Sequence, residues 1–107
     1  ALFDAGTAVS GSGPAFVCYF IDALAKAGRA QGLSDEQSLT LALQTVVGAA
    51  KMVDHEHISP AELAQKVATP GGCTAVGLDV LKTTGMDEAL AKTIGATVAK
   101  AQEFGKK

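Results

Sequence analysis

Between positions 14 and 54 lie two successive stretches of helical character whose apolar residues run most of the way round, and this limits the folds open to so short a chain. In the first, Phe16, Val17, Cys18, Phe20, Ile21, Leu24 and Ala27 occupy more than one stripe of a helix that ends near Gln31, where Gly32 supplies a stop. In the second, Ser34-Asp35-Glu36-Gln37 has the form of a capping box, and Leu39, Leu41, Leu43, Val46, Val47, Met52 and Val53 follow on several faces to about Asp54. A helix that is apolar on most sides needs burial on most sides. The 107 residues suit one domain, not two. A domain of that size leaves roughly a third of its unfolded-chain surface exposed, too much to hide both helices within one copy. A homodimer in which these helices pack on their symmetry mates is expected.

The remaining segments also read as helices. Residues 1–13 end in Ser10-Gly11-Ser12-Gly13 and are expected to form a loop, with Pro14 as the first residue of the first helix. Ser59-Pro60-Ala61-Glu62 is a second capping box and opens a short third helix to about Val67. Thr69-Pro70-Gly71-Gly72 breaks the pattern, because the residue before proline avoids helical angles. A fourth helix runs from about Cys73 to Thr84, Gly85 ends it, and Asp87 offers a cap for a fifth from about Glu88 to Phe104. Apolar residues make up 48% of the chain but aromatic ones only 5%, so the bulk is Ala, Val and Leu, suited to close helix packing. The fold class is all-α, about five helices in an interleaved helical-bundle homodimer, with residues 1–107 as a single domain.

Composition excludes several roles. A formal charge of -2, one Tyr and no Trp give neither a basic footprint nor stacking platforms for nucleic acid. Cys18 and Cys73 lie far apart and match no C-x-x-C metal site, which fits a reducing cytosol and implies no metal. His55 and His57 flank Glu56 in a polar connection and lack the further ligands a metal would need. The uncharged residues 5–21 are broken by Gly, Ser and Pro and followed by Asp22, so they fall short of a membrane span of about 20 residues. No basic residue precedes them as in a signal peptide. A soluble, cytoplasmic protein is expected.

The chemistry concentrates in Thr69-Pro70-Gly71-Gly72-Cys73-Thr74, which opens directly into a helix. Amides near Gly72, Cys73 and Thr74 lack intrahelical partners there and carry the positive end of the helix dipole. Glycine lets a ligand approach the backbone, and the Thr69 and Thr74 hydroxyls add directed hydrogen bonds. A small carboxylate fits better than a nucleoside triphosphate, since the G-x-x-x-x-G-K-[ST] loop is missing. By itself a Pro-Gly-Gly before a helix is commonly a plain connection.

Longer matches add to this. Ser10-Gly11-Ser12-Gly13-Pro14-Ala15-Phe16, then Leu43-Gln44-Thr45 through Gly48-Ala49-Ala50-Lys51-Met52, and above all Glu62-Leu63 through Thr69-Pro70-Gly71-Gly72-Cys73-Thr74-Ala75-Val76-Gly77-Leu78 to Leu81-Lys82 resemble the pyrroline-5-carboxylate reductase family. The resemblance covers about residues 10–105. It implies the helical C-terminal dimerisation domain of an enzyme that reduces 1-pyrroline-5-carboxylate to L-proline with NADPH or NADH, in proline biosynthesis. The N-terminal Rossmann domain that would bind NADP or NAD is absent from these residues, which contain no G-x-G-x-x-G after a strand, so the chain alone is expected to be inactive.

The resemblance also implies residue roles. Thr69, Gly71, Gly72, Cys73 and Thr74 would bind the substrate, with the Thr74 hydroxyl orienting the ring nitrogen, and Ser12, Gly13 and Pro14 would line the nicotinamide side. Dimers, with larger assemblies of dimers permitted, are implied as well. Two departures stand out: Thr69 replaces a common Ser, and Cys73 replaces a common Thr or Ala. An acidic residue near Glu56 and His57 belongs to the family's active site, and either of the two residues could face the substrate. Two alternatives remain. One is a non-catalytic dimerisation or protein-binding module. The other is the helical part of a hydroxy-acid dehydrogenase, whose catalytic lysine neither Lys51 nor Lys66 matches.

Overall fold

A computed structural model describes residues 2–105; Ala1, Lys106 and Lys107, the ends of the expected single domain, lie outside the described residues. The elements are α1 (Leu2–Thr7), a π-helical turn (Ala8–Ser12), α2 (Gly13–Ala30), α3 (Asp35–Glu56), α4 (Pro60–Val67), α5 (Cys73–Thr83) and α6 (Met86–Gly105). The fold is all-α, as expected, with no strand among the described residues. These residues fall into two compact units, one made of residues 14–60 and the other of residues 2–13 with 61–105.

In the unit of residues 14–60, α2 and α3 are joined by locally coded caps. Leu33 donates its amide to the Gly28 carbonyl at 3.2 Å and Gly32 to Arg29 at 3.0 Å, the paired bonds of a Schellman stop, with Gly32 at φ 107°, a left-handed value that a side chain would resist. Ser34 accepts from the Gln37 amide while the Gln37 side chain accepts from the Ser34 amide, both at 3.1 Å, so the expected capping box is complete. Arg29 pairs with Asp35 across the turn at 3.6 Å. The buried residues here are small: Ala25, Ser38 and Ala42.

In the other unit, α1 and the π turn pack on α6, as does α5. Ala8, Leu63 and Ala68 are buried in it. The loop expected over residues 1–13 is helical over its described part, because packing on α6 overrides the weak helix propensity of Gly and Ser. Pro14 is therefore the second residue of α2 and not the start of a new helix. Its ring would crowd the carbonyl four residues earlier in a regular α-helix, and the wider π turn just upstream relieves that conflict. The Ser10 hydroxyl donates to the Gly6 carbonyl at 2.8 Å within the same stretch. Helix α6 starts at Met86, ahead of the expected Asp87 cap, with Asp87 and Glu88 in the first turn, where the helix dipole favours negative charge.

Because residues 5–13 are helical, Ala5–Ala30 forms a run of 26 residues that is long and apolar enough to cross a membrane by length and composition, correcting the shorter reading from sequence. The core helix of a soluble assembly passes the same test. Only 11% of the apolar window is buried by the chain itself, which leaves the kind of apolar surface that marks an interaction site.

That deficit is general. Among the described residues no large side chain is fully buried, while Tyr19 is 78% exposed and Val76, Val9 and Phe104 each above 60%. The chain exposes 8111 Å². Leu39, Leu41 and Leu43 on α3 are all near half exposed, and steps of two residues turn a helix by about 200°, so uncovered apolar surface lies on opposing sides of α3.

Candidate functional site

Residues 69–72 form a β-turn. The Gly72 amide donates to the Thr69 carbonyl at 2.9 Å, Pro70 holds the second position, and Gly71 holds the third at φ 77°. Proline followed by a left-handed glycine is the residue pattern of a type II turn. Gly72 then extends (φ -88°, ψ 176°) to become the N-cap of α5, and its carbonyl accepts the Val76 amide at 3.2 Å.

This arrangement decides which amides remain for a ligand. The expectation gave the Gly72 amide to an anion together with those of Cys73 and Thr74; in the structure Gly72 spends its amide closing the turn. With Gly72 as the cap, the first three helical positions are Cys73, Thr74 and Ala75, and among the described residues no side chain caps them. Ala75 is therefore the third open amide of this helix start, a position the sequence reading did not include.

Hydroxyls set the loop apart as well. Thr83, Thr84, Thr93 and Thr97 bend theirs back onto carbonyls of their own helices at 2.7–3.2 Å. Thr69 and Thr74 make no such bond among the described residues, and both are exposed, as are Pro70, Gly71 and Cys73. Three unpartnered amides at the positive end of an eleven-residue helix, flanked by two hydroxyls, form an anion cradle for a group the size of a carboxylate. The Cys73 thiol is free and exposed at the same helix start.

The other candidates lie on separate elements. Ser12 closes the π turn, and Gly13 and Pro14 open α2; Ser12 and Gly13 are half-buried and Pro14 exposed. Glu56 ends α3, and His57 caps it in the left-handed conformation at φ 57°, ψ 25°. Among the described residues no three His, Cys, Asp or Glu side chains gather in a way that could hold a metal ion. Tyr19, 78% exposed, is not a core residue of this chain.

Comparison with known proteins gives consistent matches. A family model described as pyrroline-5-carboxylate reductase dimerisation matches residues 1–104. The pyrroline-5-carboxylate reductase of Aquifex aeolicus is 49% identical over 103 residues, 96% of this chain and 39% of that protein. That of Synechocystis is 43% identical over 106 residues, 99% of this chain and 40% of that protein. Among solved structures, Plasmodium falciparum pyrroline carboxylate reductase with NADP bound superposes with a TM-score of 0.92 at 38% identity, over 96% of this chain and 41% of that one. A pyrroline-5-carboxylate reductase from Coxiella burnetii gives 0.90 at 37% identity, over 94% of this chain and 37% of that one. The chain thus spans 39% and 40% of the length of the two curated relatives.

Proposed function

The chain belongs to the pyrroline-5-carboxylate reductase dimerisation family, and we propose that it serves as the subunit-pairing and substrate-binding part of an enzyme that reduces 1-pyrroline-5-carboxylate to L-proline. The observation that carries this reading is the uncapped start of α5 behind the Thr69–Gly72 turn. The substrate carboxylate is taken by the amides of Cys73, Thr74 and Ala75 and by the Thr69 hydroxyl. Gly71 and Gly72 contribute shape: one makes the turn possible, and the other leaves the approach clear of a Cβ.

With its carboxylate anchored, the ring presents its imine toward the Thr74 hydroxyl. Addition of hydride to an imine is easier once the nitrogen carries a proton, and it requires the ring carbon to be held at near-attack distance. A free hydroxyl does not release its proton near neutrality, so Thr74 orients the nitrogen or relays a proton from water and is not itself the acid.

The residues of this chain do not make up a dinucleotide site, since they contain neither the glycine fingerprint nor, among the described residues, a strand to carry it. NADP or NAD, the source of the hydride, is then held by the part of the relatives that this chain does not span. Ser12, Gly13 and Pro14 line the nicotinamide side. The reading makes the protein soluble and cytoplasmic and its partner a second copy, with dimers free to assemble further and no part for nucleic acid or a lipid bilayer. In this reading the second copy covers the apolar run of α2.

Titration of proline into the assembled protein, followed by amide chemical shifts, tests the site. Shifts confined to residues 69–75 are expected. An unmoved loop in an intact dimer would instead favour the module that pairs subunits and binds nothing.

A further inference from the structure

We draw no further inference here: the strongest candidate, the open groove along the first turns of α3 lined by Leu33, Glu36, Gln37, Thr40 and Leu41, carries nothing because nothing in the structure shows what covers it.

Discussion

The carbonyl oxygen of Thr69 stands 3.1 Å from where a Cβ on Gly72 would be, and the same carbonyl accepts the Gly72 amide at 2.9 Å. One atom thus both closes the turn and crowds position 72, where a Cβ would make the carbonyl give way by a few tenths of an ångström. The obstacle is backbone, so it cannot rotate aside as the end of a flexible side chain can.

Gly72→Ala is therefore expected to loosen the turn and, on the proposed reading, tilt the three open amides of α5 away from the substrate carboxylate. Losing one or two charge-assisted hydrogen bonds of about 1.5–3 kcal/mol each raises KM for pyrroline-5-carboxylate by about tenfold or more. Helix content by circular dichroism should stay as it was. Steady-state kinetics of the full enzyme check it; an unchanged KM would show that the turn does not aim the site.

Ser38 makes a separate case. It is 2% exposed, its hydroxyl has no partner, and it faces Gly28, where an added Cβ would lie 3.4 Å from the oxygen. A buried, unmet hydroxyl costs roughly 1–3 kcal/mol of desolvation. Ser38→Ala keeps the volume needed at this crossing and removes the polar atom. Denaturant unfolding should show a gain of about 1 kcal/mol, and a loss would reveal a hydrogen bond, such as one to a buried water.

The Asp22–Lys26 pair, 2.8 Å apart on the surface of α2, predicts a pH dependence of known sign. The hydrogen bond from Lys26 holds the Asp22 carboxyl below its ordinary 3.8, and the same bond raises Lys26 above its ordinary 10.5. Stability from a lowered carboxyl is present above 3.8 and lost as pH falls through the folded value. Stability from a raised ammonium is present below 10.5 and lost as pH rises through its folded value. The Tm difference between wild type and Asp22→Asn should therefore be small and flat near neutrality and shrink at both extremes, and salt should reduce it.

What the sequence disclosed depended on how local each cause was. The Ser34–Gln37 box and the Gly32 stop involve neighbours a few residues apart, so both were legible in the residue order. So was the turn at 69–72, since Pro70 and Gly71 carry its dihedral preferences themselves. The helix over residues 2–12 was not legible: its Gly and Ser residues argue against it locally, and the reason it forms is packing on α6, about eighty residues away in the chain. The turn and the helix start at 69–75 were legible as a stretch. The use of the Gly72 amide, and with it the shift of the open amides by one residue to Ala75, depended on where the cap fell.

Helix α3 offers the sharpest test of pairing. Leu39 and Leu41 are 53% and 51% exposed in the single chain, on sides of the helix about 200° apart. In a monomer at least one of them would face water, and Leu→Glu there would be close to neutral, as surface changes generally are. If a second copy covers both, each substitution puts an unpaired carboxylate into an apolar seam at a cost of several kcal/mol. Sedimentation of Leu39→Glu and Leu41→Glu should then show both shifted to monomer or unfolded at concentrations where the wild type is paired, with Leu→Met at either site retaining the pair. A dimer that tolerates glutamate at one position and not at the other would mean that the partner covers one side of α3 only, which is a side-by-side contact and not an interleaved one.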